Sequence, residues 1–238
     1  MIRQHAIARL VAALAVPVLL AACTGGGGTG APLPTIPSLA PATPTAAATH
    51  PGPTYPPGCP EAQPAALGDG DTRTVTIKTD KGDIAMKIEG KLSPIATGNF
   101  VALADCGFYD GVVFHRVVPG FVIQGGDGQF GRVPNVIPGL VGTGGPPYTI
   151  QDEKVTSTYR RGTVAMARSA QPNSVGSQFF IVLDDAAAKA LADPKYNNYQ
   201  IIGNVTSGLE AVDAIAAAAD KELPTDPVVM DKVTVATP

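Results

Sequence analysis

Phe114-His115-Arg116-Val117-Val118-Pro119-Gly120-Phe121-Val122-Ile123-Gln124-Gly125-Gly126-Asp127 is the most informative stretch of this 238-residue chain. Two short β-rich runs, 112–117 and 121–124, flank Pro119-Gly120, a dipeptide that marks a turn. His115, Arg116 and Gln124 are the polar residues in otherwise apolar runs. The Gly125-Gly126-Asp127-Gly128 segment that follows has the look of a phosphate loop, but no Gly-Lys-Ser/Thr follows it, and a tight turn after a strand accounts for it.

Short β-rich runs recur on the C-terminal side, at 163–167, 179–183, 200–205 and 228–235. On the N-terminal side, residues 74–78 and 82–89 alternate apolar and polar side chains (Val75, Ile77; Ile84, Met86, Ile88) across an Asp80-Lys81-Gly82 turn, which predicts a hairpin. Ser93-Pro94 supplies an N-cap and a first-turn proline; Ala96, Phe100 and Leu103 then fall at helical spacing, with Gly107 past the last turn. A second helix is expected around 209–219, with Leu209, Val212 and Ile215 or Ala216 facing inward. Many short strands with two helices predict a mainly β fold, a sheet closed on itself and not a parallel α/β sheet. The Gly- and Pro-rich stretch 125–147 is too long for an idle turn.

The chain's beginning is of another kind. Arg3 and Arg9 precede an apolar run from Leu10 to Leu20, which ends in Leu20-Ala21-Ala22-Cys23. The run is shorter than the roughly 20 residues a membrane-spanning helix needs, so it reads as a targeting segment. Leu-Ala-Ala-Cys resembles the bacterial lipobox, in which cleavage precedes the cysteine and lipid is attached to it. Residues 1–22 are therefore expected to be a signal peptide and Cys23 the lipidated residue, with an ordinary signal peptide as the alternative. Residues 31–64 hold 11 of the 23 prolines and no charge before Glu61. With the glycines before them they read as part of a linker, 23–72, ahead of a folded domain at 73–238. As flexible coil, residues 24–72 span about 35–42 Å root-mean-square, and proline stiffening lengthens that. These features predict an exported cell-envelope lipoprotein on the outer face of a bacterial membrane, touching the membrane only through its lipid.

Loss of Arg3 and Arg9 leaves 15 of the 17 basic residues against 20 acidic ones, so no nucleic-acid footprint is present. With Cys23 assigned to lipid, Cys59 and Cys106 remain as an even pair in a compartment that permits disulfides. A Cys59–Cys106 bridge is the expectation, two free thiols the alternative.

The second informative block runs from Gly162-Thr163-Val164-Ala165-Met166-Ala167-Arg168 through Pro172-Asn173 to Gly176-Ser177-Gln178-Phe179-Phe180-Ile181. With the first block, and with Gly142-Thr143-Gly144-Gly145 and Asp152-Glu153 between them, it resembles the signature of the cyclophilin family over about residues 74–235. The resemblance implies a closed eight-stranded antiparallel β-barrel capped by two α-helices. It also implies peptidyl-prolyl cis-trans isomerase activity in a groove on the barrel's outer surface, on proline-containing polypeptide clients, by a monomer with no metal or organic cofactor. Matched position by position, Arg116 resembles the family's catalytic arginine and Gln124 its polar orienter. Phe121, Val122, Phe180 and Leu191 match the lining of the proline pocket. Ala167 and Arg168 fall where the family's backbone pairs with a bound peptide; Gln178 falls in the same substrate-binding set, as does Tyr199 at the pocket edge.

The chain departs from the family on one side of the pocket. Many cyclophilins carry a tryptophan beside the position matched by Leu191, and its indole helps to hold cyclosporin. This chain has no Trp; Ala190 takes the place, and weak cyclosporin binding is expected. Tyr199 replaces a pocket-edge histidine, Val122 a frequent methionine, and Arg168 stands where asparagine is common. Of the three histidines, His5 lies in the targeting segment and His50 in the linker. His115 would have to serve a hydrolase triad alone, with no Gly-x-Ser-x-Gly elbow, so a structural role is expected. Two other readings compete with the enzyme: a non-catalytic chaperone module that binds proline segments in the same groove, and a lipoprotein that only scaffolds envelope proteins.

Overall fold

The computed structural model describes residues 55–237. The expected signal peptide, Cys23 and the first part of the expected linker lie outside the described residues. Ten strands and three helices follow in the order β1 (Thr72–Thr79), β2 (Gly82–Glu89), α1 (Pro94–Asp105), β3 (Val112–Val113), β4 (Arg116–Val118), β5 (Val122–Gly125), β6 (Thr163–Met166), β7 (Phe179–Val182), α2 (Asp185–Leu191), β8 (Ile201–Ser207), α3 (Leu209–Ala218), β9 (Val229–Met230) and β10 (Lys232–Ala236).

Eight of the strands form one antiparallel sheet in the order β10-β1-β2-β8-β6-β7-β5-β4, as the mainly β reading predicts. The hairpin β1–β2 pairs Thr72 with Glu89 through to Thr79 with Gly82, and Gly82 takes the positive φ of +120° that its turn requires. Its alternation places Val75, Ile77, Ile84, Met86 and Ile88 on one face, all fully buried. The ladder itself does not join β10 to β4. Instead the separate pair β3–β9 spans the seam, since β3 leads into β4 and β9 into β10. Backbone bonds from Phe114 N–H to Val228 O and from Val117 N–H to Glu222 O continue this stitching. The runs expected at 112–117 and 228–235 are thus each divided in two, because each changes partner at the seam.

Helix α1 begins at Pro94 as expected, but Ser93 makes no side-chain cap. The Glu153 carboxylate, 57 and 58 residues away, accepts the N–H groups of Ala96 and Ile95 at 2.9 Å each and satisfies two of the helix's orphan donors. Helix α3 buries Val212 and Ile215, with Leu209 half-buried. The third helix, α2, falls in the segment after Asp184 where two-helix capping predicted only a loop. Asp184 caps it by accepting the Ala187 N–H at 2.7 Å.

The chain from Tyr55 to Asp71 lies on the domain. Cys59 and Cys106 are joined in a disulfide, their Cα atoms 5.1 Å apart, so that the segment is fastened to the end of α1. Leu67 N–H donates to Pro94 O at 2.9 Å. Gly98 is needed where this strap crosses α1: a Cβ there would stand 2.2 Å from Ala65 O.

Closing a loop over 47 residues removes about 4 kcal/mol of chain entropy from the unfolded state. Replacing both cysteines by serine is expected to lower the unfolding free energy by about 2–4 kcal/mol, read by urea denaturation of the oxidised protein and the variant; equal stabilities would contradict a bridge that restrains the chain.

Candidate active site

Strand alternation sorts β5, β6 and β7 into an inner and an outer set. Ile123, Val164, Met166, Phe179 and Ile181 belong to the main core, while Phe121, Val122, Ala165, Ala167, Phe180 and Val182 form a second apolar cluster with α2. A groove of about 210 Å³ opens beside this second cluster. Nine of the ten residues predicted to form the site line it: Arg116, Phe121, Val122, Gln124, Ala167, Arg168, Phe180, Leu191 and Tyr199. Gln178 is the exception and stands behind them.

Register explains the convergence. Arg116 on β4 lies opposite Gln124 on β5, and Gln124 lies opposite Phe180 on β7, which in turn faces Ala165 on β6. Arg116 Nη1 donates to Gln124 Oε1 at 3.3 Å. Gln124 Nε2 donates to Gln178 Oε1 at 3.0 Å, and Gln178 Nε2 donates to the carbonyls of Gly142 and Gly144, both at 2.9 Å. Behind that loop the buried Asp127 accepts four backbone N–H groups, those of Gln129, Phe130, Gly142 and Gly144, at 2.7–3.0 Å.

Two residues of this network were not found by sequence reading. Glu222 pairs with Arg116, Nε to Oε1 at 2.7 Å, from the segment after α3. No local pattern marks it, because the contact spans 106 residues. Asp127 was legible as part of a turn, and Gly126 there has φ +94°, but its bonds to residues 142 and 144 come only with the fold. With Nε on Glu222 and Nη1 on Gln124, Arg116 keeps Nη2 without a hydrogen-bond partner among the described residues.

The apolar side is built by aromatic contact. Phe180 and Tyr199 meet edge to face, with ring centroids 5.3 Å apart, and Tyr199 O accepts from the Tyr159 hydroxyl at 2.8 Å. Burial raises the pKa of the Tyr199 phenol, against the opposing pull of Arg116 and Arg168, so it stays a neutral donor. Leu191, at the end of α2, closes the wall and is itself 1% exposed. Arg168 brings less charge to the groove than its type suggests. Its guanidinium pairs with Asp152 at 3.1 Å and donates to the carbonyls of Ser169 and Gln171. Ala167 spends its N–H on Gln178 O at 2.8 Å.

Comparison with known proteins agrees with this geometry. Residues 74–235 match the family described as cyclophilin type peptidyl-prolyl cis-trans isomerase/CLD. The chain belongs to the cyclophilin-type peptidyl-prolyl isomerase family. A probable peptidyl-prolyl cis-trans isomerase of Brucella abortus is 40% identical over 163 residues, covering 67% of this chain and 79% of that one. A peptidyl-prolyl cis-trans isomerase of Helicobacter pylori is 38% identical over 149 residues, or 60% and 80% of the two chains. Among solved structures, a cyclophilin-type isomerase of Cryptosporidium parvum superposes with a TM-score of 0.57 at 30% identity, covering 70% of this chain and 99% of that one. The cyclophilin assignment covers the eight-stranded sheet, the groove and both sequence blocks.

His115, beside the arginine, is not positioned for catalysis. It is 4% exposed and neither ring nitrogen has a hydrogen-bond partner among the described residues. Burial lowers its pKa to about 4, with Arg116 acting in the same direction and Asp127 against it. A folded value below the ordinary 6.5 means that the unfolded chain binds the proton first as pH falls. This contribution to stability is therefore intact above pH 6.5 and is lost down to about pH 4, a total of about 3 kcal/mol at 1.4 kcal/mol per unit. Urea denaturation at pH 7 and 4.5 is expected to show the wild type losing about 2 kcal/mol more stability than His115→Gln. Parallel losses in the two proteins would argue against a buried neutral imidazole.

Proposed function

We propose that the chain isomerises X-Pro bonds of exported or envelope proteins and assists their folding, with Arg116 as the stabiliser of the twisted amide. The observation that carries this reading is the guanidinium of Arg116, which lines an apolar groove and is held on two edges by Glu222 and Gln124. Rotation about a prolyl amide breaks its conjugation, a barrier of about 18–20 kcal/mol, without making or breaking a σ bond. In the twisted state the nitrogen regains its lone pair and becomes a better hydrogen-bond acceptor. A permanently charged donor fixed beside it binds that state more tightly than the planar one. Phe121, Phe180, Val122 and Leu191 would hold the ring, Gln124 the carbonyl side, and Ala167 the client backbone. Gln178 acts from behind by fixing the rotamer of Gln124.

One preorganised donor aimed at a transition state is worth about 2.7–4 kcal/mol, or roughly two to three decades in rate. Arg116→Ala is expected to lower kcat/KM for a short X-Pro peptide by about that factor, with circular dichroism and melting temperature retained. Full activity in the variant would remove Arg116 from the chemistry. The envelope location rests on the Leu-Ala-Ala-Cys23 motif and its linker, and mass spectrometry of the mature N-terminus tests it.

The absence of Trp and the presence of Ala190 on α2 support weak cyclosporin binding, since no indole N–H is available there. Titration of isomerase activity is expected to show inhibition only at micromolar cyclosporin or above; nanomolar inhibition would contradict it.

A further inference from the structure

The strap before β1 reaches the back of the active site. Tyr55 donates its hydroxyl to Gly145 O at 2.8 Å, and its ring stacks on Phe108 with centroids 5.7 Å apart and planes within 16°. Gly145 adjoins Gly144, whose carbonyl accepts from Gln178 Nε2 and whose N–H is held by Asp127. From Gln178 the contacts run to Gln124 and on to Arg116. The residue before the strap's contact is tightly placed. A Cβ on Gly144 would stand 2.5 Å from Asp127 Oδ1 and 2.8 Å from Phe130. The carbonyls that seat Gln178 therefore take their position from two sides: Asp127 from within the domain and Tyr55 from the strap. Four residues after Tyr55, the Cys59–Cys106 bridge fastens the strap to the end of α1.

We propose that Tyr55 is a positioning residue for catalysis, and that the Cys59-pinned strap is a working part of the isomerase scaffold. Tyr55 acts through Gly145 and Gly144 on Gln178, and so on the rotamer of Gln124 beside Arg116. This rests on the assignment of Arg116 and Gln124 to the reaction, so one of its readouts is chosen to be independent of turnover.

The experiment uses the oxidised full chain, with Tyr55→Phe, Gln178→Ala, the two combined, and the paired Cys59→Ser, Cys106→Ser variant. Tyr55→Phe keeps the stacked ring and removes the donor. It is expected to shift the side-chain amide NMR resonances of Gln178 and Gln124 and to lower kcat roughly three- to tenfold at unchanged KM, the scale of one neutral hydrogen bond. In the Gln178→Ala background the same change is expected to have no further effect, because the path is already cut. The paired serine variant is expected to shift the same resonances, measured well below its melting temperature. Unmoved resonances in Tyr55→Phe overturn the proposal, as does a kcat loss that persists undiminished without Gln178. If the resonances move while Arg116→Ala keeps full activity, the assignment of the catalytic group fails and Tyr55's role in catalysis falls with it, whereas the structural coupling from strap to Gln178 stands.

Discussion

The pairing of β5 with β4 on one side and β7 on the other is the constraint on which the site depends. It places Arg116, Gln124, Phe180 and Ala165 in one row across four strands. Side chains alternate strictly between faces, so a slip of one residue in any of these pairings would send one member of the row to the core face of the sheet. The register is held by what lies on the opposite face. Ile123, Phe179 and Ile181 are fully buried, and each would have to enter solvent or the groove if its strand slipped. The geometry of the groove is in this sense a by-product of core packing, and the apolar face enforces the position of the polar one.

What packing cannot supply is the orientation of long polar side chains on the outer face. Arginine and glutamine have many rotamers, and fixing them costs entropy that a single contact does not offset. The protein answers with a chain of contacts that ends on backbone: Glu222 and Gln124 hold Arg116, Gln178 holds Gln124, and two glycine carbonyls hold Gln178. Those carbonyls sit in a loop gathered around the carboxylate of Asp127. A buried anion accepting several N–H groups is a stiff hub, because every bond lost would leave the charge less compensated.

Local patterns carried much of this to the reader of the sequence. The β1–β2 alternation, the Pro94 start of α1 and the positive-φ turn at Gly82 are short-range consequences of residue type, and all three appear in the structure. The two motif blocks were enough to indicate a cyclophilin fold and seven of the groove's residues; Leu191 and Tyr199, outside the blocks, came from the wider match. Hidden from sequence were the contacts made only by closure of the sheet: Glu222 on Arg116, Glu153 capping α1 in place of Ser93, and the division of each seam strand into two. Residue type says that a carboxylate is available; only topology says which helix end or guanidinium it meets. The strap from Tyr55 was legible only at Cys59, whose bridge to Cys106 the even cysteine pair predicted; the rest was hidden for a different reason. Its proline-rich composition is that of a spacer, and the contacts that dock it come from few residues, chiefly Tyr55, Cys59 and Leu67.

The covalent bond at Cys59 also decides how a mechanical load would travel. Tension on the chain ahead of residue 59 passes through the disulfide into Cys106 at the end of α1, and the twelve residues between Cys59 and β1 carry little of it. Strand β1 sits between β2 and β10 and is joined to them by hydrogen bonds, which a pull along the chain would open one at a time from its N-terminal end. The bridge takes β1 out of that line of force. A load applied ahead of residue 59 would thus reach the domain through a covalent link to a packed helix, and the sheet would be shielded from being unzipped.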